Sequence, residues 1–218
     1  MIHLFLAIPL SRIISLEVRY LNWAAAGIWV TSAGMASFLE TALRIRKINY
    51  ETGQLEVILQ SPISNLDLLT ILSLRGIILG FIQFVFAIII TCTLNHEYLG
   101  TLNIIMIIIQ IMTIIIFFSV LGILMGLLIS NLIIFIQISL ASFLIISLGM
   151  GAFIPISYYP DSYLAIADKI PLIILVKNLQ SIIIHQSVQW TSFFLTLVLI
   201  TLLFCINLII SNKVFRNI

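Results

Sequence analysis

Few residues of this chain could do chemistry, and their types and spacing narrow what it would be. His3, His96 and His185 are widely separated and all lie where the chain meets water. They read as surface histidines rather than a metal site, which would need ligands at short fixed spacings. Asp161 and Asp168 are the one carboxylate pair that could share acid–base work, but they sit in a Pro- and Tyr-rich stretch and read as a solvated boundary loop. Gln83, Gln110, Gln137 and Asn207 fall inside long apolar runs. Such residues hydrogen-bond neighbouring helices, and the three glutamines are also the candidate pore-lining residues. Cys92 and Cys205, in or beside apolar runs, read as small buried hydrophobes rather than as a disulfide or metal pair. The chain contains no Gly-x4-Gly-Lys, no His-Glu-x-x-His and no Gly-x-Ser-x-Gly. No catalytic residue, bound cofactor or metal is expected, and the chain is not read as an enzyme.

The elements that carry these residues are set by the solvent. Of 218 residues, 62% are hydrophobic and 8% charged, where soluble domains carry about a quarter charged residues. A soluble fold could not hide that apolar surface, and in a bilayer long apolar runs must close their backbone hydrogen bonds as helices. The expectation is an all-α integral membrane protein, a single multi-pass domain over residues 1–218. A net charge of +2 with scattered Lys and Arg points away from nucleic acid. Residues 1–10 have no basic region, so no cleavable signal peptide is expected.

Five spans are expected, at residues 21–43, 65–93, 102–128, 132–153 and 190–210. Residues 1–20 are apolar but broken by Pro9, Arg12, Glu17 and Arg19. They read as an interfacial helix or as a partial sixth span. Glu40 and Arg44 stand four apart and can pair as the first span ends. Gly122 and Gly126 form a small-residue face for a partner helix. The two-residue turn Ser130-Asn131 makes its flanking spans antiparallel neighbours. Residues 154–189 hold Pro155, Pro160 and Pro171, and the apolar stretch within them is too short to cross, so a re-entrant or interfacial helix is expected.

The basic cluster Arg44, Arg46 and Lys47 puts the end of the first span in the cytoplasm, and the C-terminus with it. Residues 50–63 follow as a short amphipathic helix with Leu55, Ile58, Leu59 and Pro62 on one face, stopped by Ser61-Pro62. Ser64-x-x-Asp67 resembles a capping box opening the next span, with Arg75 about 15 Å along it. Arg75 can then snorkel to the cytoplasmic side.

Two stretches together resemble the permease subunit of type-2 ABC exporters. Tyr50 to Ser64 resembles that family's Glu-x-Gly-x-Leu-Glu pattern followed by Leu-x-x-Ser-Pro-Ile-Ser, and Gly151 to Pro160 with Pro171 is similar to its proline-punctuated element before the last span. The likeness runs from Leu21 to the C-terminus. It departs at Ala26-Gly27, where the family often has Pro-Gly, at Ile71-Leu72, often Gly-Lys, and at Gln180, commonly Arg. The family's full first span is represented by about twenty residues.

The resemblance implies a dimeric or paired permease in a bacterial inner membrane, worked by a separate ATPase subunit that uses ATP and Mg. Glu51, Gly53, Leu55, Glu56, Ile58, Leu59, Ser61 and Pro62 would form the ATPase-coupling helix. Pro155, Tyr158, Tyr159, Pro160 and Pro171 would shape the outer gate. Two alternatives stand beside it: a heme-export-type permease of cytochrome maturation, and a non-transport membrane subunit of a respiratory or assembly complex.

Overall fold

The computed structural model describes residues 20–51, 60, 62–95, 101–149, 151–167, 169–185 and 190–216. Among them every regular element is helical. The α-helices are α1 (Tyr20–Arg46), α2 (Asn65–Asn95), α3 (Thr101–Leu128), α4 (Leu132–Leu144), α5 (Asp161–Ala167), α6 (Pro171–His185) and α7 (Trp190–Arg216). π-helical turns follow α1 at Lys47–Glu51 and α4 at Ile145–Gly149, and a 3₁₀ turn spans Ile156–Tyr158. The expected reading of residues 1–19 lies outside the described residues.

Four segments are long and apolar enough to cross a membrane: Asn65–Thr93, Ile104–Leu128, Leu132–Gly149 and Phe193–Val214. They match four of the five expected spans and suit an all-α integral membrane protein. The fifth, expected at residues 21–43, is α1, about 40 Å long but less apolar than these four. Its packing supplies the reason. Ala24, Ala26, Val30, Ala33, Ala42 and Ile45 are fully enclosed, because α1 is flanked along its length by α2 and α3 and touched by α6. A helix that meets protein instead of lipid can exchange large apolar side chains for small ones that let backbones approach.

The Gly122/Gly126 face meets α1. A Cβ at Gly122 would overlap the Phe38 carbonyl and Thr41, and one at Gly126 the Ala42 carbonyl and Ile45. From the other side Gly76 and Gly80 of α2 approach the Ser37 and Ala33 carbonyls of α1, each 3.0 Å from where a Cβ would stand. Hydroxyls tie the three helices where they touch. Ser37 Oγ donates to the Ile115 carbonyl at 3.1 Å, Thr41 Oγ1 to Ser119 at 3.1 Å, and Ser119 Oγ to Ser73 at 3.0 Å. Trp29 Nε1 donates to Thr91 Oγ1 at 2.8 Å, and Asn207 of α7 donates to the Val120 carbonyl at 2.8 Å. Asn207 thus binds helix to helix, as its place in a span suggested.

Three expectations change. Glu40 does pair, but with Arg75 of α2 at 2.5 Å rather than with Arg44 of its own helix. Ser130-Asn131 is the tight turn foreseen, with Asn131 Oδ1 capping α4 at the Ile133 and Ile134 amides, yet α3 and α4 part beyond it and α4 leans lightly on α1. Turn length brings two helix ends together; it leaves their crossing angle to packing, and only Phe135 and Ser139 of α4 are buried. Cys205 is exposed on α7 and Cys92 half-buried, so only the latter approaches a core residue.

Candidate functional site

The basic end of the bundle holds the flanks of the expected coupling helix. Gly53, Leu55, Glu56, Ile58, Leu59 and Ser61 lie outside the described residues; Glu51 closes the π-helical turn and Pro62 is exposed in the turn before α2. Both flanks are anchored. The last carbonyls of a helix have no partner within it, and those of α3 are met by α1 and its π-helical turn: Tyr50 Oη donates to Leu127 at 2.7 Å, and the Arg46 Nη2 donates to Ser130, just past the helix end, at 2.9 Å. A buried cation is well placed there, since the helix C-terminus carries partial negative charge. Around these bonds Ile45, Ile48, Leu68, Leu69, Leu72, Ile123 and Leu127 form one apolar cluster.

The other flank opens α2 through the capping box that its spacing suggested. The Asp67 amide donates to Ser64 Oγ at 3.1 Å, and the Ser64 amide to Asp67 Oδ2 at 3.2 Å. Asn65 Nδ2 then donates to Asn212 Oδ1 at 2.6 Å, joining the start of α2 to the end of α7.

At the opposite end the chain leaves α4 through the π-helical turn and reverses at Gly151, whose φ of 76° falls where L-residues with a Cβ are strained. That reversal strips several carbonyls of helical partners, and side chains from four places cover them. Tyr159 Oη donates to Leu148 at 2.7 Å, Tyr163 Oη to Gly149, Gln180 Nε2 to Gly151 at 3.0 Å, and Tyr20 Oη to Phe153 at 2.6 Å. The prolines build the frame. Pro155 is buried ahead of the 3₁₀ turn, the Pro160 carbonyl accepts the Tyr163 and Leu164 amides, and Pro171 opens α6, where its missing N–H is no loss. Tyr158 is exposed, while the Tyr159 and Tyr163 rings pack 4.9 Å apart.

The structure therefore gathers Pro155, Tyr159, Pro160 and Pro171 into one cap and leaves Tyr158 on its surface. Tyr20, Tyr163 and Gln180 belong to the cap and were not singled out as gate residues; the signal for them was the pair Gly149 and Gly151, which marks a reversal that must free carbonyls. Helix α6 is 15 residues long, about 22 Å, and buries Leu172, Val176, Leu179 and Ile182 against the bundle with Lys177 exposed. The three glutamines do not converge. Gln110 is buried in α3 with its Nε2 lacking a partner, whereas Gln83 and Gln137 face outward from α2 and α4. Asp161 begins α5, Asp168 lies outside the described residues, and no three His, Cys, Asp or Glu side chains meet among the described residues. Compared with protein-family models, curated proteins and solved structures, the chain matches none.

Proposed function

We propose that this chain is the membrane subunit of an exporter, worked by a separate ATP-hydrolysing subunit that grips residues 51–60. The observation that carries the reading is the anchoring of both flanks of that segment. A displacement applied there acts on α3 through Arg46 and Tyr50 and on α7 through Asn65.

The motif resemblance from Tyr50 to Ser64 supplies the partner class, and Leu55, Ile58 and Leu59 are the face that would seat in it. Arg44, Arg46 and Lys47, with Lys213 at the same end of the bundle, support reading this side and the C-terminus as cytoplasmic, and the resemblance supplies the bacterial inner membrane. Two copies, or two related permeases, would enclose the path, with the Pro155–Pro171 cap as its outer gate.

The test is purification of the tagged chain from its native membrane with associated ATP hydrolysis as the readout. The wild-type complex hydrolyses ATP, and Leu55→Asp and Ile58→Asp insert normally but lose the activity from the complex. Undiminished hydrolysis with either variant, or none with the wild type, would sink the reading.

A further inference from the structure

The parting of α4 from α3 leaves α4 with an apolar cleft on its α1 side of about 450 Å³, within the roughly 300–1,000 Å³ of small-ligand sites. Met35, Leu39 and Leu43 form one wall, and Phe135, Ile136 and Ser139 the facing one. Ser139 is 5% exposed, yet its hydroxyl has no hydrogen-bond partner. A helical serine in hydrocarbon ordinarily donates back to its own helix.

The rim of the cleft is charged. Met35, Leu39, Leu43 and Arg46 follow one another at spacings of four and three and share a face of α1, and Lys47, four past Leu43, opens the π-helical turn after it. Lys47 thus stands exposed where the cleft reaches the basic end of the bundle, with the charge of the buried Arg46 behind it at Ser130. Across from them Leu132, also a lining residue, is the first residue of α4, and a helix N-terminus adds partial positive charge. Glu40, the acidic group nearest this wall in sequence, is engaged with Arg75 on the α2 side. An apolar slot ending in cations fits an amphiphile with an aliphatic tail and an anionic head, which a bilayer supplies in abundance.

We propose that the cleft between α1 and α4 is a binding site for an anionic phospholipid, with an acyl chain between Leu39 and Ser139 and the phosphate at the exposed Lys47 of the rim. The site stands on the chain being a membrane protein and is independent of the exporter reading.

The test uses the full chain in mild detergent, incubated with phosphatidylglycerol or phosphatidylcholine of identical acyl chains, with retained lipid read by native mass spectrometry. One phosphatidylglycerol per chain is retained in preference to phosphatidylcholine. Lys47→Gln lowers that preference about fivefold, the effect of one cation beside an anionic headgroup, and Ser139→Phe, which fills the slot, abolishes retention of both. Because Ser139→Phe could disturb packing, p-benzoylphenylalanine at Leu140 of an otherwise unchanged chain reports what occupies the slot. Crosslinking to phosphatidylglycerol supports the site. Crosslinking to a second copy of the chain, or equal retention of both lipids, overturns it.

Discussion

Gln180 Nε2 donates to the carbonyl of Gly151 at 3.0 Å, tying α6 to the point where the chain reverses after α4. Gln180 is 8% exposed and Gly151 is buried, so water is a poor substitute for either partner. Gln180→Leu keeps the volume but removes the donor, leaving a buried carbonyl unmet at a cost of about 1–3 kcal/mol. The expected result is a lower thermal midpoint in detergent and faster amide exchange in residues 151–159. Unchanged exchange there would show that the bond does not hold the reversal.

Gly122 predicts a sharper loss, because what a side chain would meet there is backbone. Its Cβ position lies against Thr41 Oγ1 and the Phe38 carbonyl of α1, and the carbonyl, being backbone, cannot rotate aside. Gly122→Val should destabilise by more than the roughly 1–3 kcal/mol of ordinary overpacking, since α1 and α3 must separate to admit it. Gly149→Ala is the control: its nearest neighbours, Tyr163 Oη and Ile145, stand at 3.7 and 3.9 Å, an ordinary contact. Thermal unfolding of both variants in one detergent gives the comparison, and equal midpoints would refute the close-packing account.

What could be read in advance follows the range of the interaction. Ser64 and Asp67 are three residues apart, so the capping box was legible, and the Gly122/Gly126 face was legible as a face though its partner was not. Glu40 had two cations within reach and was assigned the one on its own helix; the choice of Arg75 depends on how α1 crosses α2, which no local pattern encodes. The same limit hid the parting of α3 and α4, whose short turn constrains their ends alone. Tyr20 and Phe153 lie 133 positions apart, and nothing in the residues around Tyr20 names its partner. Among the candidate site residues the prolines were visible because proline fixes the backbone locally, whereas the donors that complete the cap arrive from distant segments.

The Glu40–Arg75 pair makes a measurable coupling. Arg75 is half-exposed and Glu40 about a quarter exposed, so the pair faces the surroundings of the bundle. Polar couplings measured between membrane helices average about 0.6 kcal/mol, and a double-mutant cycle of Glu40→Gln and Arg75→Gln should return about 0.5–1 kcal/mol. Additive single effects would mean that the pair adds nothing to the α1–α2 contact.

The cap around Gly151 should also respond to alkali. Burial, and then the neighbouring Tyr163, raise the Tyr159 phenol above its ordinary value of 10.0, while its Oη must stay protonated to donate to the Leu148 carbonyl. Well below pH 10 the phenol is neutral in both folded and unfolded chains, and its contribution is complete. Above that the unfolded phenol ionises first, so unfolding gains free energy and the contribution fades as pH rises through the folded pKa. Tyr159→Phe lacks the bond at every pH and has nothing to lose there. Limited proteolysis of the segment between Gly151 and Pro171, followed from about pH 8 to 11, should show the wild type more resistant at the lower end and the two chains converging at the upper. Parallel profiles across that range would show that Tyr159 ionisation does not loosen the cap.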